Sequence, residues 1–302
     1  MVEAFTGMVK EALEKLIEQP QTLVEKYWDN LEKTVEVEPT EAAKQEAKTT
    51  DWWDNLDKTA DNFEETTDFS EKPEKIDDNG NIYAKNGELL PNTEYTLNGN
   101  IYKTDENGRI ISWESIPQST PENPRDNDAQ ASVGGEDRRP GDQGGHIVGR
   151  DMGGDGGLGN LVPMHARINQ SDYKRMENEI KQMSDEGKDV KSNGEMTYNG
   201  DSKRPDNIIT TVTTDGKDTV YTFDNNLDGS LMDKLKETCN ESDIGRVERT
   251  LDKTGGEISS TKEEYNADGN LEKTTVTITS TDENGDNYRD KVIINHDEGI
   301  PQ

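Results

Sequence analysis

The chain has 302 residues, 28% of them hydrophobic and 33% charged, and a formal net charge of −31. So small an apolar fraction excludes one continuous core over the whole length and points to one compact domain with loosely ordered segments around it. The balance of 65 acidic against 34 basic residues excludes a protein that holds nucleic acid by bulk attraction, because polyphosphate affinity rests mainly on Lys and Arg. Cys239 is the single cysteine, so an intrachain disulfide and a CxxC metal knuckle are excluded as well. No apolar run approaches the roughly 18 residues of a membrane span. Residues 1–20 carry acids throughout and their apolar residues are periodic, so no signal peptide is expected.

In chain order, residues 3–34 predict two amphipathic helices. Phe5, Met8, Val9, Ala12, Leu13, Leu16 and Ile17 keep helical spacing, Pro20 breaks it, and Leu23, Val24, Tyr27, Trp28 and Leu31 resume it. Trp52, Trp53 and Leu56 add a third short turn, and the segment reads as a partner-docking hairpin rather than a catalytic one. Residues 36–50 and 58–80 are acidic and read as linkers. From residue 81 short strand-like runs begin, with Asn98-Gly99 and Asn107-Gly108 as hairpin signals. Residues 115–135 are rich in Pro and Asp and read as loop. Beyond the central segment, Ile208 to Thr214 and Thr219 to Phe223 flank Asp215-Gly216 as another hairpin, and residues 245–295 read as further β-runs.

Chemistry concentrates in residues 135–184. His146 follows Gly144-Gly145 and opens one strand-like run, Asn160-Leu161-Val162 is a second, and a helix is predicted from about Ser171. Tyr173, Met176, Ile180 and Met183 form its inward stripe, and Asn169 extrapolates onto the same side at the helix entrance, with Glu177 about 80° away. A strand–strand–helix arrangement therefore gathers His146, Asn160, Asn169 and Glu177 around one cleft, with the helix N-terminus favouring a phosphate. These residue types suit phosphodiester hydrolysis. Histidine supplies a base for the attacking water, a hard cation and guanidinium groups balance the developing charge, and Asn and Glu oxygens suit magnesium, which keeps much of its water. Four arginines, Arg138, Arg139, Arg150 and Arg167, lie in the segment before that helix. Residues 131–182 hold eight acids and seven bases, nearly neutral within a very acidic chain, so phosphate contact falls to individual arginines. The run Gly154-Asp155-Gly156-Gly157-Leu158-Gly159 matches GxGxxG literally but lacks the strand–helix context of a dinucleotide site, and reads as a flexible turn. His165 reads as surface or supporting, and His296 as chemically idle.

The texts GDQGGHIVG, GNLVPMHARINQSDYKRMENEI and YNGDSKRPDNI resemble, in order and spacing, the DNA/RNA non-specific endonuclease family with its ββα-metal fold, in the version found as the C-terminal toxin of bacterial polymorphic toxins. The resemblance covers roughly residues 90–226. It implies His146 as general base, Asn169 as magnesium ligand, Asn160 as support for the metal site and Glu177 as the residue orienting water. It also implies Arg138 or Arg139 as a phosphate contact and places Arg204 near the cleft, with Arg150 and Arg167 as further substrate-binding residues. Manganese is expected to substitute for magnesium. One departure stands out: the family usually carries an acid three residues before the histidine, where this chain has Gln143, with Asp142 beside it.

The expectation is thus an α+β protein: a ββα-metal nuclease core on an antiparallel sheet, with an N-terminal helical segment and a β-rich acidic C-terminal extension. Its divisions are a pretoxin-like helical segment at 1–60, a linker at 61–89, the nuclease at 90–226 and the extension at 227–302. The expected partners are DNA or RNA as substrate and a cognate immunity protein, with no membrane, for a secreted toxin acting in the target-cell cytoplasm. The competing expectation is a catalytically degenerate nuclease fold that only binds nucleic acid or a protein.

Overall fold

The structure is a computed structural model that describes residues 73–296. The two N-terminal helices, the Trp52-Trp53 turn and the linker up to residue 72 lie outside the described residues. The linker expected to run to residue 89 is structured in its described part. Strands β1 (Lys75–Ile76), β2 (Ile82–Lys85) and β3 (Glu88–Leu89) form a small antiparallel sheet. Its polar sequence conceals two anchors. Asp77 accepts hydrogen bonds from the backbone N–H groups of Asn79 and Asn81, at 2.9 and 2.8 Å. Tyr83 is buried and stacks on Tyr95 with ring centroids 4.8 Å apart.

Strands β4 (Glu94–Leu97), β5 (Asn100–Thr104) and β6 (Ile110–Ser115) follow as two hairpins. Asn98 and Gly99 both adopt positive φ, as a tight hairpin turn demands. The chain then leaves the sheet for an insertion. It holds helix α1 (Asn127–Ser132), the antiparallel pair β7 (Asp142–His146) and β8 (Leu161–His165), and helix α2 (Lys174–Asp185). The sheet resumes with β9 (Val190–Tyr198), β10 (Pro205–Thr214) and β11 (Lys217–Asp224). Strand β9 pairs with β6, so the whole β7–β8–α2 unit is an insertion between two neighbouring strands.

The β-rich C-terminal extension begins with helices, and residues 245–254, read as the start of its β-runs, are helical. Residues 230–254 form helices α3 (Ser230–Thr238) and α4 (Glu241–Thr254). Asn240 caps α4 by accepting from the Asp243 backbone N–H at 3.0 Å, and Gly255 ends it in the left-handed conformation. Strands β12 (Glu257–Tyr265), β13 (Leu271–Thr281) and β14 (Asn287–Asn295) then extend the same sheet, whose order is β14-β13-β12-β11-β10-β9-β6-β5-β4 with every neighbour antiparallel. The sheet therefore runs without a break across residue 227.

Two cores flank this sheet. The larger packs Tyr95, Tyr102, Trp113, Ile208 and Phe223 of the sheet against Ile147, Val162 and Met164 of the β7–β8 region and Met176 and Ile180 of α2. The smaller packs Leu231 and Leu235 of α3 and Val247 of α4 on Ile258, Val276 and Ile294. Among the described residues no helix is long and apolar enough to cross a membrane.

Candidate active site

Close packing sets the path of β7. A Cβ on Gly144 would meet the Gln130 backbone oxygen of α1 at 2.6 Å, and one on Gly145 would meet Met164 of β8 at 2.8 Å. The two glycines thus let β7 slide between α1 and β8, and His146 emerges at its end. The helix that follows β8 begins as a π-helical turn, Ile168–Tyr173, before α2 takes over. The predicted inward stripe is present, with Tyr173, Met176 and Ile180 buried and Met183 packed against the same core. Tyr173 donates its hydroxyl to the Ile147 carbonyl at 2.7 Å, tying the π turn to the residue after His146.

His146, Asn169, Glu177, Arg138, Arg150 and Gln143 line one cleft of about 770 Å³. Its charged lining counts four bases (Arg125, Arg138, Arg150, Lys174) against three acids (Glu122, Asp151, Glu177), a local positive excess in a chain of net charge −31. His146 Nε2 is buried with no hydrogen-bond partner among the described residues, while the Gly156 backbone hydrogen-bonds the ring. Burial, and then the Arg150 guanidinium, pull the His146 pKa down to about 4. This is below the near-neutral value expected of a histidine base, and it leaves the ring neutral and proton-accepting at pH 7. Burial pushes the Glu177 carboxyl up, opposed by the Lys174 ammonium 3.2 Å away. Asn169 donates Nδ2 to Gln143 Oε1 at 2.7 Å. The amide of Gln143 therefore orients Asn169 from the position where an acid was expected, and Asn169 Oδ1 accepts no hydrogen bond among the described residues. Arg150 donates to Glu122 Oε2 at 2.7 Å and to the Asn123 carbonyl.

Residues 91–216 match the family model for DNA/RNA non-specific endonuclease. The chain carries a DNA/RNA non-specific endonuclease domain. It is also 39% identical over 124 residues to the type VII secretion system protein EssD of Staphylococcus aureus strains USA300, NCTC 8325 / PS 47 and Newman. That match covers 39% of this chain and 20% of each relative, so the chain spans about a fifth of the length of the curated relatives it matches.

Within the endonuclease domain, the structure keeps four expected residues out of the cleft. Asn160 is fully buried, and its amide is used up. Oδ1 accepts from Val148 N at 2.9 Å and Tyr102 Oη at 3.0 Å, and Nδ2 donates to the carbonyls of Val148 and Asp155 at 2.8 and 2.7 Å. It knots the β7–β8 loop and has nothing left for a metal. Arg204 is buried on Asp142, at 2.7 and 3.0 Å, and also donates to the Asn225 carbonyl at 2.7 Å. Arg167 reaches Thr281 Oγ1 at 2.8 Å and Glu257 at 3.6 Å on the C-terminal strands. Arg139 offers its backbone N–H to Asp142 at 2.9 Å, and its side chain does not line the cleft. Arg138 does line it, but three backbone carbonyls, of Gln130, Ala131 and Asp142, already accept from its guanidinium at 2.7–2.8 Å.

Sequence reasoning missed Arg125, Glu122, Asp151 and Lys174. Lys174 was findable, one helical turn before Glu177 on the same face. Arg125 and Glu122 sit in the segment read only as loop. The GxGxxG run is close-packed rather than a loose turn: a Cβ on Gly154 would lie 1.9 Å from the Val148 carbonyl oxygen, and one on Gly156 1.8 Å from that of Pro124.

No group of three or more His, Cys, Asp or Glu side chains placed to hold a metal occurs among the described residues. What the cleft does offer is hard oxygen, the free Asn169 Oδ1 and the Glu177 carboxylate. That donor set fits a magnesium-type cation that keeps several waters.

Proposed function

We propose that this chain is a magnesium-dependent endonuclease that hydrolyses phosphodiester bonds of DNA, RNA or both with little sequence specificity. The observation that carries this reading is His146, whose buried, unbonded Nε2 shares a cleft with Asn169 and Glu177 inside the endonuclease domain. In this mechanism Nε2 takes the proton from the attacking water, and the hydrogen bond with the Gly156 backbone holds the ring in place. Arg150, with Arg138 at the cleft wall, holds the non-bridging phosphate oxygens, and Glu177 orients water. Magnesium, or manganese in its place, would be held by Asn169 and would supply positive charge to the phosphate and leaving oxygen. The neutral Gln143 motivates the degenerate-module reading, but it preserves the hydrogen bond that orients Asn169, which favours catalysis.

The test is incubation of the purified chain with plasmid DNA and with total RNA, in magnesium and in EDTA. Degradation in magnesium that stops in EDTA is the expected result. Retained binding with no cleavage at low salt, in a folded sample, would move the chain to the degenerate reading.

A pH profile follows from the depressed His146 pKa. The neutral ring is the active form, so kcat/KM should rise with pH through about 4 and stay level towards neutrality. Arg150→Gln, which removes a cause of the depression, should move this acid limb upward. The same group makes stability fall as pH drops from the unfolded histidine value of roughly 6.5 towards 4, because only the unfolded chain takes up the proton in that window. An acid limb near 6.5 in the unaltered chain would contradict the assignment.

The proposed setting is the toxin portion of a secreted bacterial polymorphic toxin, acting in a target-cell cytoplasm and held in check in the producer by a cognate immunity protein. The name of the relatives, type VII secretion system protein, supports that delivery route.

A further inference from the structure

The family match ends at residue 216, yet the sheet runs on through β12, β13 and β14. Those added strands grip the site helix at three heights. Arg167, just before the π turn, reaches Thr281 and Glu257. Glu179 on α2 accepts from Lys262 at 2.7 Å. Between them, Asp172 points away from the cleft and is buried, its side chain 2% exposed. Its Oδ2 accepts from Ser259 Oγ at 2.5 Å and Ser260 Oγ at 3.3 Å on β12, and its Oδ1 pairs with Arg289 on β14. Among the described residues, two further buried nitrogens of Arg289 have no hydrogen-bond partner. Asp172 is the one acid among the described residues that Arg289 pairs with.

The location matters because Asp172 lies in the π turn that carries Asn169. A π turn is an uncommon, wide turn that recurs at functional sites and depends on its surroundings to persist. Here it is held from three sides: Gln143 on Asn169, Ile147 on the Tyr173 hydroxyl, and the C-terminal strands on Asp172. The first two anchors belong to the endonuclease domain, and the third does not. We propose that the C-terminal strands are a positioning module for the nuclease, and that Arg289 and Ser259, acting through Asp172, fix the turn that presents Asn169 to its cation. This rests on the reading of Asn169 as the magnesium ligand.

The experiment is magnesium titration of the full chain by calorimetry, alongside kcat and KM. Arg289→Met should weaken magnesium affinity by on the order of 10-fold or more, the range typical of groups that support a ligand from behind. It should lower kcat at limiting magnesium more than it changes KM for nucleic acid, and Arg289→Lys should recover most of both. Ser259→Ala, a milder change should Arg289→Met fail to fold, should shift affinity in the same direction. Val247→Ala, which opens the α4 core without touching Asp172, should lower the melting temperature and leave magnesium affinity intact. Unchanged affinity in folded Arg289→Met and Ser259→Ala would overturn the proposal, as would an equal loss in Val247→Ala. Asn169→Ala separates the two layers: if it binds magnesium as well as the unaltered chain, the ligand assignment itself fails and the positioning role falls with it.

Discussion

His146→Ala is expected to lower phosphodiester cleavage by on the order of 10²–10⁴-fold, the usual contribution of a positioned general base, with little change in stability. The two halves of this expectation have separate causes. The catalytic half follows from Nε2, a buried acceptor with no partner among the described residues and with burial and Arg150 holding it unprotonated. The stability half follows from the same fact. An unpartnered buried polar atom contributes nothing to the fold, and its removal costs only the packing of a partly exposed ring and one hydrogen bond with the Gly156 backbone. Rates on plasmid DNA and RNA, measured beside a thermal melt of the variant, check both. A structural histidine would show the reverse pattern, with a melt moved several degrees and a specific rate kept in the folded fraction. Imidazole added to His146→Gly should restore part of the rate if the ring acts as base, and should restore none if it is only a spacer.

What could be read from the sequence was what depends on short separations. Asn98-Gly99 and Asp215-Gly216 marked their hairpins, because a tight turn needs positive φ at both residues and few residue pairs supply it. The stripe from Tyr173 to Met183 placed one helix face on the core, and that phase put Asn169 and Glu177 beside His146, all within 32 residues of sequence. The π turn left no trace in the pattern, since its register depends on what holds it rather than on its own apolar spacing. The arginines mark the limit most clearly. Arg150, four residues from His146, reached the cleft; Arg167 and Arg204 went to partners 114 and 62 positions away that no local rule could name. Helices α3 and α4 were a different kind of miss. Leu231 with Leu235, and Ile244 with Val247 and Leu251, keep helical spacing, and Asn240 and Gly255 are caps. The β-rich texture after residue 255 masked a signal that was present. Of the strands up to residue 89, β2 was legible in the strand-like run that opens at Ile82, while β1 and β3 have two residues each and are too short to leave an apolar pattern.

Arg204→Ala is expected to destabilise the fold by about 3–5 kcal/mol at neutral pH, the range for removing one partner of a buried ion pair. The Asp142 side chain is fully enclosed and Arg204 only 3% exposed. Burial alone would push the Asp142 carboxyl up, but Arg204, followed by the Arg139 backbone N–H, holds it below its ordinary value. The sign is therefore fixed. With its folded pKa depressed, Asp142 contributes stability above the unfolded carboxylate value of roughly 3.9, and that contribution is lost as pH falls through the folded pKa. In Arg204→Ala burial is no longer offset by the guanidinium, the folded pKa rises, and ionisation of Asp142 opposes folding as pH climbs. The gap between the two proteins in a urea titration should accordingly be small near pH 3 and widen towards pH 7. Asp142→Asn combined with Arg204→Met removes both charges at once and should regain much of the loss, since the cost lies in the abandoned carboxylate and not in the absence of an ion pair. This places the Arg204 position in the wall of the site rather than at its substrate. Had Arg204 contacted phosphate, the alanine variant would keep its urea midpoint and show instead a raised KM and a shallower dependence of binding on salt. The contrast is sharp because Asp142 begins the strand that ends in His146, so the pair anchors one end of β7 while catalysis sits at the other.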